Sequence, residues 1–167
     1  DDYITIAFLS NPPLPHFDYA FSDPNKYYLA NRPAVSDLQV FKSDGVMGIN
    51  EGMQTGEDTV VFKAVVSSTV AAEAKLQVEL RGFGQAFSGV DDGGILESSF
   101  VVTGSEAVIV KSGLADNFYH WRSRAVDSLG NASDWQEFGT SGNLDFAVKT
   151  VPLYTQVRSP YPSILET

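Results

Sequence analysis

Residues 75–81 set Leu76, Val78 and Leu80 against Lys75, Gln77, Glu79 and Arg81. A hydrophobic period of two fits an extended strand with one face on a core and one in water, because successive strand side chains point to opposite sides. The same period returns at 118–127, where Tyr119, Trp121, Ser123 and Ala125 are expected inward and His120, Arg122 and Arg124 outward. Residues 59–66 place Val60, Phe62, Ala64 and Val66 on one side, while the other side, Thr59, Val61, Lys63 and Val65, is only partly polar. Short β-branched runs follow at 100–102 and 107–110, punctuated by Gly104 and Gly113. Gly- and Asp-rich clusters at 43–45, 91–94 and 128–131 supply turns between the runs. No window sustains a helical period and no internal repeat is visible. Short strands separated by such turns predict an all-β chain, an antiparallel immunoglobulin- or fibronectin type III-like β-sandwich.

The two ends of the chain do not share this pattern. Pro12, Pro13, Pro15 and Pro24 stand near one end and Pro152, Pro160 and Pro162 near the other. Proline removes a backbone donor and is kept off helix interiors and central strands. These segments therefore read as extended N- and C-terminal arms, residues 1–32 and 149–167, flanking a sandwich at 33–148. The acids and bases of the arms nearly cancel, so almost all of the formal net charge of −10 lies in the sandwich. That charge argues against a nucleic-acid partner, which requires a basic footprint, and against docking on an anionic membrane. The longest apolar stretch near the start, residues 3–9, is far too short for a bilayer-spanning helix and reads as an edge strand. No signal peptide is visible, as would also hold if one had been removed. The absence of cysteine excludes disulfides, zinc–thiolate sites, iron–sulfur clusters and a cysteine nucleophile.

Four segments in order, LQVFKSDG at 38–45, TVVFKAVVSS at 59–68, KLQVELR at 75–81 and LADNFYHWRSRAVDSLGNASDWQEFG at 114–139, resemble a bacterial fibronectin type III-like module of secreted or cell-surface multi-module proteins. LDFAV at 144–148 fits the closing strand. The resemblance covers 33–148 and leaves both arms outside. It implies that Leu114 and Tyr119 form a tyrosine corner, in which the phenol hydroxyl bonds a nearby backbone group as the chain turns over the core. Leu114, Tyr119, Trp121 and Trp135 are the expected structural core, with Trp135 and Phe138 closing it near the last turn. At 68–73, where such modules commonly carry an acidic turn, this chain reads Ser68-Thr69-Val70-Ala71-Ala72-Glu73, so a calcium site there loses its carboxylates.

Catalysis needs a nucleophile or metal, a base of tuned pKa and a group to orient it. Only two histidines occur: His120 faces outward from a strand, and His16 lies in the N-terminal arm without a partner at ligand spacing. Nucleophile-elbow, zincin, phosphate-loop and dinucleotide motifs are absent. No enzyme activity, cofactor or metal is expected. Asp91-Asp92 and the group Asp127, Asn131 and Asp134 are oxygen-rich, but they lack the loop spacing calcium needs and fit turns without it. Asn131-Ala132-Ser133 is a formal glycosylation sequon within a turn. His120, Arg122 and Arg124 form the one basic row, suited to an anionic partner or to pairing with Glu79 on a neighbouring strand.

Rings remain. Tyr3, Phe8, Phe17, Tyr19, Phe21, Tyr27, Tyr28, Tyr154 and Tyr161 all lie in the arms, and exposed apolar groups in such number mark contacts. Tyr3, Phe8, Tyr27, Tyr28, Tyr154 and Tyr161 are the candidate interaction residues. The chain is expected to be a non-catalytic, extracellular or cell-surface bacterial module, structural or adhesive, with other copies of itself or other surface proteins as partners. Assembly would follow if an arm such as residues 3–9 added to a sheet edge of the next copy. Two alternatives stand beside this: an accessory module binding polysaccharide or cell wall, and a spacer before a downstream domain.

Overall fold

The computed structural model describes residues 32–150. The arm residues Tyr3, Phe8, Tyr27, Tyr28, Tyr154 and Tyr161 lie outside the described residues. Among the described residues ten strands form: β1 (Ala34–Lys42), β2 (Met53–Thr55), β3 (Val60–Ser67), β4 (Glu73–Gly82), β5 (Ile95–Glu97), β6 (Val101–Val102), β7 (Ser105–Lys111), β8 (Asn117–Asp127), β9 (Gln136–Glu137) and β10 (Phe146–Val148). Among the described residues no helix is long and apolar enough to cross a membrane.

Two sheets pack face to face. One has the order β1-β3-β7; the other has the order β2-β10-β8-β4-β5, with β6 also paired to β4 and β9 to β8. This is an immunoglobulin-like β-sandwich. The inward faces are the ones the period of two selects. Val60, Phe62, Ala64 and Val66 of β3 are buried against Ala74, Leu76 and Val78 of β4 and Tyr119, Trp121 and Ala125 of β8. Phe62 meets Trp121 edge-on at 4.8 Å between ring centroids, and Tyr119 stacks on Phe146 of β10 at 5.4 Å. Aromatic contacts of this kind add to the stabilisation from area alone.

Pairing is antiparallel except at one place. β2 runs parallel to β10, with Met53 beside Phe146 and Thr55 beside Val148. The chain leaves β1 in one sheet, crosses over and lays β2 on the edge of the other, alongside the last strand, so the sandwich is not antiparallel throughout.

Leu114 is buried, and the Tyr119 hydroxyl donates to the Ala115 carbonyl at 2.9 Å. The bond fastens the β7–β8 crossover to the start of β8. Trp135 differs from expectation. Phe138 closes the core, stacked on Trp121 at 4.9 Å, whereas Trp135 lies on the outer side of the sheet over Arg122 and Arg124. Positions an odd number apart in extended backbone face opposite ways, so these two rings cannot share one side.

Candidate functional site

β4 and β8 pair in a register that sets Gln77 opposite Arg124, Glu79 opposite Arg122 and Arg81 opposite His120. All six side chains point away from the core, and the segment 83–94 folds over Glu79, Arg81, His120 and Arg122. Glu79 is consequently buried although it faces outward. Its Oε1 accepts from the Ser88 amide at 2.7 Å and from Arg81 Nε and Nη2 at 3.0 and 2.9 Å. Its Oε2 accepts from Arg122 Nε and Nη2 at 2.9 and 2.8 Å and from the Gly89 amide at 3.2 Å. Burial pushes the Glu79 carboxyl up, but the Ser88 amide, the Arg122 and Arg81 guanidinium groups and the Gly89 amide outweigh it and hold it at about 2. Gly89 has a φ of 70°, and a Cβ there would stand 3.3 Å from Arg122 Nη2. Glycine alone brings this amide to the carboxylate without strain.

Rings and cations alternate over the same face. Phe87 stacks on His120 at 4.2 Å, and the Arg122 guanidinium carbon lies 4.7 Å from the ring centroids of both Phe87 and Trp135. Arg124 continues the row, 4.4 Å from the Trp135 centroid, while its Nε donates to Gln77 at 2.6 Å. His120 Nε2 donates to the Gln85 carbonyl at 2.8 Å. The basic row is therefore engaged inside the domain, as cross-strand pairing requires. A carboxylate held at about 2 is ionised at neutral pH and poorly suited to general acid or base work there.

The oxygen-rich turns are closed in a similar way. Asp127 Oδ1 accepts from the Leu129 and Asn131 amides, and Oδ2 from Ser68 and the Asn131 side chain. Asp92 Oδ1 accepts from Arg81 Nη2 at 2.6 Å. Among the described residues no group of three or more His, Cys, Asp or Glu side chains is placed to hold a metal ion.

Two surfaces are not closed from within. The first is the outer face and free edge of the three-stranded sheet. Phe41, Val61, Val65, Val108 and Val110 share this face; Val61 is buried and Phe41 and Val65 are half-buried, while Val108 is 43% and Val110 62% exposed. Lys63 sits among them, 4.9 Å from the Phe41 centroid and 3.6 Å from Glu106. β7 pairs with β3 on one side, and among the described residues no strand pairs with its other side. The second is a 360 Å³ cleft lined by Gln54, Asp116, Asn117, Phe118, Ala147, Val148 and Lys149. Phe118 is 58% exposed there, and Asp116 accepts from the Thr150 amide and hydroxyl.

Sequence reasoning placed Glu79 beside the basic row but missed its burial; Phe83 and Phe87 in an otherwise polar connection were the available signal. It registered residues 107–110 as a strand without recognising an edge. Asp145, buried beneath the sheet, carried no signal at all.

No protein-family model matches the chain. No curated protein sequence matches it. Among solved structures, the PKD domain of an M14-like peptidase from a Thermoplasmatales archaeon is similar at a TM-score of 0.38 and 16% identity, over 64% of this chain and 92% of that one.

Proposed function

We propose that the chain is a non-catalytic, extracellular β-sandwich module of a bacterial surface or secreted assembly, fibronectin type III-like in character, that joins to other copies of itself through its terminal arms. One contrast carries this reading. The charged groups of the β4–β8 face are closed into mutual ion pairs, whereas the apolar face and backbone edge at β7 are left without a partner among the described residues. Surfaces of the second kind are made for contact with other chains. The arms, rich in Tyr, Phe and Pro, supply material for that contact. The chain lacking residues 1–32 is expected to sediment as a monomer at concentrations where the full chain forms larger species. Equal sedimentation of the two would sink the reading.

A second reading has its own support. Phe118 presents a ring in a cleft with Gln54, Asn117 and Lys149 around it, an arrangement suited to stacking and hydrogen bonding with a polysaccharide. It predicts retention on an insoluble polysaccharide that falls at least tenfold in Phe118→Ala. No retention of the parent protein rejects it.

A further inference from the structure

Among the described residues six strands offer outer edges, and five of them are blunted. β1 carries a bulge between Ser36 and Gln39, with Asp37 at a φ of 53°. β2 and β5 have three residues each, and β6 and β9 two each. Bulges and short length are the ordinary protections of a sheet edge. β7 has neither. Its seven residues keep an unbroken register with β3, from Ser105 opposite Val66 to Lys111 opposite Val60. It contains no proline, and its charges are confined to Glu106 and Lys111 near the ends. An edge strand of this length presents a row of unpaired amides and carbonyls at alternate residues.

The chain also contains a segment that fits. Residues 3–9 read Tyr-Ile-Thr-Ile-Ala-Phe-Leu, uncharged and rich in strand formers, and are followed by Pro12 and Pro13, which stop a strand. In an antiparallel alignment with Ile6 opposite Val108, Ile4 falls opposite Val110. The even-numbered residues then share the apolar outer face, and Asp2 comes to the end of β7 that carries Lys111. The intervening residues 10–31 can reach at most about 75 Å when extended, far enough to pass from one molecule to the next.

We propose that the free edge of β7 is the acceptor for residues 3–9 of a second copy, which add to the sheet as an antiparallel strand. The proposal rests on the assembly reading above and names its acceptor. Main-chain hydrogen bonds supply the affinity and the Ile4–Val110 and Ile6–Val108 pairs supply the register. Donor and acceptor are different surfaces, so the contact is heterologous and runs head to tail.

Two full-length variants test it. V108K/V110K places charges on exposed positions of the acceptor, and I4D/I6D does so on the donor. Circular dichroism and melting curves establish that both fold, and sedimentation velocity reads their size. Each variant alone is expected to be monomeric. Mixed in equal amounts they should form a dimer and stop, because one molecule retains an intact edge and the other an intact arm. An acceptor variant that assembles like the parent overturns the β7 assignment, even where the donor variant is monomeric and the assembly reading stands. A donor variant that assembles like the parent overturns both. A monomeric parent chain, as when an arm folds onto its own edge, also overturns both. Two monomeric variants that do not complement each other overturn the pairing of this arm with this edge. Hydrogen exchange keeps the question open to measurement even if V108K/V110K does not fold. β7 amides of the parent should exchange at least tenfold more slowly than those of I4D/I6D, and equal rates overturn the proposal.

Discussion

Glu79 and Asp145 are both buried carboxyls, yet their surroundings push them in opposite directions. Glu79 meets two guanidinium groups and two backbone amides and is held at about 2. Asp145 accepts from the Trp121 amide at 2.7 Å. Burial is the largest influence on it; the Trp121 amide opposes this, while the charges of Glu51 and Glu137 add to it, and its carboxyl rises to about 7. The difference lies in whether a cation compensates for lost hydration. Removing the Glu79 charge while keeping its shape takes the carboxylate partner from Arg122 and leaves Arg81 with Asp92 alone. Glu79→Gln is therefore expected to destabilise the fold by about 3 kcal/mol, in the range for breaking one side of a buried pair. Urea unfolding checks this, and a loss below ~1 kcal/mol would mean that the guanidinium groups find other partners. Replacing Trp135 removes a ring from Arg122 and Arg124 rather than from the core, so its loss opens the outer face first.

At the scale of elements, the period of two carried most of what could be read beforehand. It selected the inward residues of β3, β4 and β8 because each strand records its own burial locally, one side chain at a time. The resemblance of Leu114 and Tyr119 to a tyrosine corner implied a bond from the phenol to a nearby backbone group, and the acceptor is the Ala115 carbonyl. Relations between strands are not recorded in that way. Nothing in residues 105–111 states that β7 has a neighbour on only one side, since an edge is a property of the sheet order. The parallel placement of β2 beside β10 is equally non-local. The segment 83–94 escaped for a different reason. Its Gly and Ser residues suit a turn, and only the folded sheet brings its Ser88 and Gly89 amides onto Glu79. The candidate site was thus half legible: its cations and Glu79 could be paired from alternation, but its cover and the open edge could not.

For the whole molecule the buried carboxyls Glu79, Asp127 and Asp145 combine into a pH profile. Glu79 has a folded value below its ordinary 4.5, so its stabilising contribution is complete above 4.5 and is lost as pH falls toward 2. Asp127, Asp92 and Glu97 are shifted in the same direction and weaken the fold on the same side. Asp145 has the opposite sign. Its folded value of about 7 exceeds its ordinary 3.8, so the native state holds the proton more tightly than the unfolded chain. The resulting contribution is complete below 3.8, declines as pH rises, and is gone above 7. The net charge of −10 acts in the same sense as Asp145, since self-repulsion grows as the remaining carboxyls ionise. Stability is therefore expected to peak at mildly acid pH, near 4.5, and to fall by roughly 2 to 3 kcal/mol between pH 5 and pH 8 at about 1.4 kcal/mol per unit. Asp145→Asn keeps an oxygen for the Trp121 amide and removes the titration, so the decline above pH 5 should shrink to the part due to net charge. Urea midpoints at pH 5, 6, 7 and 8 for both proteins decide the matter. Parallel profiles would show that Asp145 is hydrated in the folded state and that the acid optimum has another origin.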